Sequence, residues 1–208
     1  MSASDKDTVA AAVAVEGTTC NNLLAPNPKL DNAVANSQKN NLPEISLINA
    51  KTVLEIGTLG GYSTIWLAQT GARVTSIEIN PKHREVALEN VAGLDTEITL
   101  GAALDVLPKL ANEGRKFDMV FCDASWGEQE KYFDWAVKLT RPKGCIDVDN
   151  VVWNVLESNT SQTGKNSLLT HVGKNKRVTA TLVPMVSTAH SASAGRTILD
   201  GFLLAVVN

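Results

Sequence analysis

The chain has 208 residues, 44% of them hydrophobic, with 19 basic and 22 acidic side chains and a formal charge of −3. That length can bury the core of an ordinary single domain, and a balance without long runs of either sign excludes the basic face that nucleic acid needs. Cys20, Cys122 and Cys145 are widely spaced and form no CxxC pair, which points to a reduced, cytoplasmic protein.

The N-terminus begins Met1-Ser2-Ala3-Ser4-Asp5 without a basic leader, and the alanine-rich Val9–Val15 is too short to span a membrane and reads as helix. After the break at Ala25-Pro26-Asn27-Pro28, Leu30–Ser37 suits a short helix, so residues 1–50 read as a helical appendage to a domain over residues 51–208. From there apolar runs alternate with helical periodicity. The expected order is strand Val53–Ile56, helix Ser63–Gln69, strand Val74–Ile79, helix Pro81–Val91, strand Glu97–Leu100 and helix Ala103–Leu110. Strand Phe117–Cys122, helix Lys131–Thr140, strand Cys145–Val148, helix Leu168–Val172 and strands Val178–Pro184 and Gly201–Val207 complete it. Such alternation predicts an α/β fold with a mostly parallel sheet. The segments Glu157–Asn166 and Ser187–Gly195 read as loops, and Asn159-Thr160-Ser161, a glycosylation pattern, reads as inert in a reduced compartment.

The most informative stretch is Val53–Ala68, a buried strand, a glycine-rich turn and a helix start. Glycines there let backbone approach a ligand, and a helix N-terminus favours an anionic group. In an open α/β sheet, ligands sit at the carboxyl ends of the strands. Glu55, Glu78, Asp123 and the pair Asp149-Asn150 all fall at such ends. Carboxylates gathered in one crevice repel each other unless a cation offsets the charge. Glu78 follows Gly57 by about twenty residues, where a βαβ unit places an acid that binds ribose hydroxyls. The turn Gly57-Thr58-Leu59-Gly60-Gly61 lacks the GxGxxG spacing that holds a diphosphate, so a ribose cofactor without one fits better than a dinucleotide.

Taken together, Glu55-x-Gly57-x-x-Gly60-Gly61-Tyr62-Ser63, Phe117-Asp118-x-Val120-Phe121-x-Asp123-Ala124, Leu139-x-Arg141-Pro142-x-Gly144 and Asp149-Asn150-Val151-x-Trp153-Asn154 resemble the cation-dependent O-methyltransferases. This is the group of the caffeoyl-CoA and catechol enzymes, fungal-type members most of all. The resemblance runs in order from about Asn22 to the C-terminus. It implies a Rossmann-like open sheet with helices on both faces and an antiparallel C-terminal strand. It also implies S-adenosylmethionine as cofactor, a small catechol-like phenol as acceptor, no membrane partner and a homodimer. By the same resemblance Glu55, Gly57, Thr58 and Ser63 hold the methionine part, Glu78 the ribose and Ala103 the adenine, with Asp123 near the sulfonium. Asp123, Asp149 and Asn150 match the metal ligands and the catalytic centre, and their oxygens suit Mg²⁺. Trp153 and Asn154 match the acceptor side.

Three departures from the family pattern stand out. Asp123-Ala124-Ser125-Trp126 replaces Asp-Ala-Asp-Lys, so Trp126 stands where the family carries its lysine base. A Trp there either stacks on an aromatic acceptor or packs into the body of the protein. A loop and helix of about ten to fifteen residues is missing between Leu42-Pro43-Glu44-Ile45-Ser46 and the first strand, and the connections at Gln69–Ala72 and Val91–Thr96 are short. These departures raise the alternative of a member that binds cofactor or a partner without transferring a methyl group. His83 and His171, with no partner at ligand spacing, read as surface residues, His190 and the Lys174, Lys176, Arg177 group as solvated, and Trp66 and Trp135 as core.

Overall fold

The structure is a computed structural model and describes residues 49–152, 168–187 and 198–208. The expected appendage over residues 1–50 lies outside these residues apart from its last two, as do Trp153, Asn154, His190 and Asn159-Thr160-Ser161.

The strands are β1 (Thr52–Ile56), β2 (Arg73–Glu78), β3 (Thr96–Leu100), β4 (Phe117–Cys122), β5 (Thr140–Val148), β6 (Val178–Ser187) and β7 (Ile198–Val207). The helices are α1 (Tyr62–Gln69), α2 (Pro81–Asn90), α3 (Ala103–Asn112), α4 (Gln129–Leu139) and α5 (Leu168–Lys174). Among the described residues the strands form one seven-stranded sheet in the order β3-β2-β1-β4-β5-β7-β6. β3, β2, β1, β4 and β5 run parallel, and β7 is antiparallel to β5. The expected architecture, a mostly parallel Rossmann-like sheet with an antiparallel C-terminal strand, is the one observed.

Consecutive burial in the central strands reflects a sheet covered on both faces. Val53, Leu54 and Ile56 are all fully buried. One face carries Leu54, Ile56, Val120 and Ile146 against Leu107 and Leu110 of α3, Phe133 and Val137 of α4 and Val172 of α5. The other carries Val53, Val74, Met119 and Cys145 with Leu67 and Ala68 of α1. The start of α2 follows local chemistry: Asn80 Oδ1 accepts from the backbone N–H of Lys82 at 2.9 Å and of His83 at 3.4 Å, and Pro81 opens the helix.

Several boundaries differ from the sequence expectation: β6 runs on to Ser187, expected to open a loop, β7 begins at Ile198 rather than Gly201, and those of α4 and β5 have identifiable causes. α4 begins at Gln129 rather than Lys131, after a 3₁₀ turn at Trp126–Glu128. The polar Gln129 is buried because its Nε2 donates to the Asp149 carbonyl at 3.0 Å, a contact without a local signature. β5 begins at Thr140 rather than Cys145, running through Arg141-Pro142-Lys143-Gly144 with a register shift against β4 and Lys143 at φ 64. Asp118 anchors this irregular end. Its Oδ2 accepts from the backbone N–H groups of Lys51 at 2.7 Å and Thr52 at 2.8 Å, while Oδ1 pairs with the Arg141 guanidinium.

Candidate functional site

The strand order reverses between β1 and β4, so loops leaving these two strands diverge and open a crevice at their carboxyl ends. Backbone bonds carry the ladder past the strands: Asp123 N–H donates to the Ile56 carbonyl and Asp149 N–H to that of Cys122, both at 2.9 Å. The strand-end acids are therefore held at neighbouring positions by the sheet itself.

Gly57 stands at φ 100, and a Cβ there would meet the Asp123 carbonyl oxygen at 2.0 Å. Close approach of β4, rather than of a ligand, is what requires glycine at this point of the turn. Glu78 fastens the turn from β2. Its Oε2 accepts from Leu59 N–H at 2.8 Å and Thr58 N–H at 3.3 Å, and Oε1 from Asn80 N–H at 2.8 Å. Gly61, at φ 83, is the N-cap of α1 and supplies it no side-chain cap.

A cavity of about 870 Å³ occupies the crevice. Gly57, Thr58, Ser63, Glu78, Ala103, Asp123 and Asp149 all line it, so seven of the residues singled out in the sequence meet at one wall. Glu55 is placed differently. It is fully buried beneath the turn, away from the cavity lining, and its Oε2 accepts from Thr64 Oγ1 at 2.5 Å and Ser76 Oγ at 2.6 Å. Burial pushes its carboxyl up, opposed by the hydroxyls of Ser63, Ser76 and Thr64. Oε1 is buried without a well-formed hydrogen bond among the described residues.

The acid end of the cavity is electrostatically loaded. Burial raises Asp123, and the charges of Asp149 and Asp200 raise it further. Burial likewise raises Asp149, with the Asn150 N–H, which donates to its Oδ1 at 2.8 Å, acting in the opposite direction. Asp147, below them on β5, is pushed up to about 7 by burial and by the same two carboxylates. Asn150 sits at φ 58 and its Nδ2 donates to Asp200 Oδ2 at 2.9 Å. Among the described residues no three His, Cys, Asp or Glu side chains form a ready-made metal cage, and Asp123, Asp149 and Asn150 offer two carboxylates and one amide.

Several wall residues were not singled out by the sequence. Tyr132 and Glu128, one helical turn apart, both line the cavity, and the Tyr132 hydroxyl donates to Glu128 Oε2 at 2.7 Å. His83, expected at the surface with no partner at ligand spacing, lines the wall with Nδ1 3.6 Å from Glu78 Oε1. Its position one turn into α2, just after the strand-end acid, was the available signal. His171 lies at the surface as expected, where its Nε2 is 2.7 Å from Asp134 Oδ1. Trp66, expected in the core, is half-buried on the cavity wall, edge-to-face with Tyr62. Trp126 is 42% exposed, so it does not pack into the body of the protein.

A family model described as O-methyltransferase matches residues 18–188. A catechol O-methyltransferase of Mycobacterium tuberculosis is 38% identical over 210 residues, covering 89% of this chain and 91% of that protein. A catechol O-methyltransferase of Niastella koreensis is 38% identical over 174 residues, covering 77% and 75% respectively. The solved O-methyltransferase of Bacillus cereus in complex with SAH superposes with a TM-score of 0.66 at 32% identity, covering 94% of this chain and 97% of that one. The family match takes in the glycine turn, Glu78 and the acid end of the cavity, and with these relatives it establishes that the chain belongs to the O-methyltransferase family and is an S-adenosylmethionine-dependent enzyme.

Proposed function

We propose that this enzyme methylates a hydroxyl of a small catechol-like phenol, assisted by a divalent cation, Mg²⁺ by preference, held by Asp123, Asp149 and Asn150. The observation that carries the reading is the placement of Asp123 and Asp149 side by side on the cavity wall at the carboxyl ends of β4 and β5, with Asn150 bonded to Asp149. Like charges in a half-buried crevice favour a hard cation, and two carboxylates with an amide oxygen are donors of the right chemistry. When bound, such a cation supplies a Lewis acid that lowers the pKa of an acceptor hydroxyl.

The residues of the chain then have distinct tasks. Glu78 presents a carboxylate to the ribose of the cofactor, and Ala103 borders its adenine. Gly57, Thr58 and Ser63 form the wall along its methionine part, with the buried Glu55 carboxylate beneath them supporting a cationic group above. Asp123 stands where the methionine part and the cation site meet. Trp153 and Asn154 belong to the acceptor side in this reading. Fixing methyl donor and hydroxyl in line supplies much of the rate, without a covalent enzyme intermediate.

A second reading, a member that binds cofactor without transfer, draws on Trp126 at the position of the family lysine. Buried, unbridged Cys122 and Cys145 support the cytoplasmic part of the proposal, and a homodimer belongs to it by family resemblance. Among the described residues no helix is long and apolar enough to cross a membrane. A methyl-transfer assay over a panel of catechols and monophenols, with and without EDTA, tests the reading. Transfer to catechols that EDTA abolishes is the expected result; transfer indifferent to EDTA removes the cation, and no transfer with tight cofactor binding leaves the second reading.

A further inference from the structure

Asp200 has no part in the motifs of the sequence, yet the fold brings it beside Asn150 and within electrostatic reach of Asp123 and Asp149. β7 is antiparallel to β5, with Asp147 opposite Leu204 and Val148 opposite Leu203. Continuing that pairing beyond the end of β5 carries Asp200 to the side of Asn150. There its Oδ2 accepts from Asn150 Nδ2 at 2.9 Å, and its Oδ1 accepts from the backbone N–H of Gly201 at 2.8 Å. Gly201 is itself confined, since a Cβ on it would meet the Val183 carbonyl oxygen at 2.3 Å. Neighbouring strands thus fix the backbone on which Asp200 stands.

The two ends of an asparagine amide are nearly equal in shape and opposite in chemistry: the nitrogen only donates and the oxygen only accepts. A hard cation takes the oxygen alone. An ionised carboxylate beside the amide accepts and cannot donate, so it draws Nδ2 towards itself and turns Oδ1 to the other side. The backbone of Asn150 is itself fixed, at φ 58 with its N–H committed to Asp149 Oδ1, so the side-chain amide is what Asp200 can orient.

We propose that Asp200 is a positioning residue for the cation site: by holding Nδ2 of Asn150 it sets the amide so that Oδ1 is the atom offered to the cation. The inference rests on the reading of Asp123, Asp149 and Asn150 as cation ligands. Partners that orient a metal ligand typically change metal affinity by about 10-fold to 100-fold when removed. The charge of Asp200 also lies near Asp123 and Asp149, so a role through orientation must be separated from one through charge.

Asp200→Asn makes that separation, because the substituted side-chain oxygen can still accept from Asn150 Nδ2 while the charge is gone. Mn²⁺ binding, followed by the electron paramagnetic resonance of the free ion in the presence of S-adenosylhomocysteine, is measured for the wild-type chain, Asp200→Asn and Asp200→Ala. Calorimetric affinity for S-adenosylhomocysteine without metal serves as a second readout. The expected result is a loss of Mn²⁺ affinity of about 10-fold or more in Asp200→Ala, recovery in Asp200→Asn to near the wild-type value, and unchanged S-adenosylhomocysteine affinity in both. Equal Mn²⁺ affinity in wild type and Asp200→Ala overturns the proposal, as does an equal loss in the two variants, which assigns the effect to charge. Wild-type protein that binds S-adenosylhomocysteine but no Mn²⁺ overturns the underlying cation reading, and this inference falls with it.

Discussion

The backbone carbonyl of Asp123 packs so closely over Gly57 that a Cβ on the glycine would lie 2.0 Å from its oxygen. The cofactor turn after β1 and the acid end of the site after β4 are thus one packed unit, and displacing either moves the other. Gly57→Ala combines overpacking with a left-handed φ. Overpacking costs about 1–3 kcal/mol and an L-residue in that region about 1–2 kcal/mol, so a total loss of about 2–5 kcal/mol is expected in chemical denaturation. A loss below about 1 kcal/mol would mean that the two loops separate freely.

Glu78 serves the turn and the cavity at once, accepting from three backbone N–H groups while facing the site. Glu78→Ala leaves those donors without the carboxylate and removes the proposed ribose contact. Hydrogen bonds to a charged group are worth about 1.5–3 kcal/mol each, so S-adenosylhomocysteine affinity measured by calorimetry should fall at least about 10-fold. Unchanged affinity would take Glu78 out of the cofactor site.

Asp118 makes an acid-sensitive clasp at the opposite end of the sheet. Burial opposes its ionisation, but Arg141 and the backbone N–H groups of Lys51 and Thr52 outweigh it and hold the carboxyl at about 2, against an ordinary 3.8. With the folded value below the unfolded one, its contribution is complete above the unfolded value and disappears as pH falls from about 4 towards 2. Asp118→Asn should lower stability at neutral pH by about 1–3 kcal/mol and flatten the pH dependence in that window. A variant whose denaturation midpoint keeps the wild-type acid slope would contradict the assignment.

Asp147 works in the other direction. Burial, then Asp149 and Asp123, raise its carboxyl to about 7, so the folded chain holds a proton that the unfolded chain has released. Stability from this group therefore falls as pH rises from about 4 to about 7, and the penalty is complete above that. Asp147→Asn should be more stable than wild type at pH 8 and nearly equal to it at pH 4, measured by urea denaturation. The reverse order would show that Asp147 is ionised and partnered in the fold.

Trp126 is half-exposed on the 3₁₀ turn that follows the cavity residues Asp123, Ala124 and Ser125, so a longer polar side chain has room there. General bases contribute about 10²–10⁴-fold to rate. If Trp126 replaces such a base, Trp126→Lys should raise kcat for a catechol by about 10-fold or more, with the gain growing as pH rises towards the lysine pKa. A fall in kcat with a raised KM would instead identify Trp126 as a surface that holds the acceptor.

Local chemistry by itself determined the strand–turn–helix from Val53 to Ala68, the capped start of α2 at Asn80-Pro81 and the acids at the ends of β1, β2, β4 and β5. Each is written in neighbouring residues, as an apolar run of strand length, a glycine turn or a capping side chain, and parallel strands necessarily bring such ends to one edge. The tertiary structure alone decided which atoms face the cavity. Glu55 went beneath the turn because the Thr64 and Ser76 hydroxyls donate to it there, and Gln129 was buried with its Nε2 on the Asp149 carbonyl, at the start of a longer α4. Asp200 reached Asn150 across 50 positions of chain. No local pattern encodes that last contact, because it depends on the antiparallel register of β7 against β5, which is set by packing of the whole sheet.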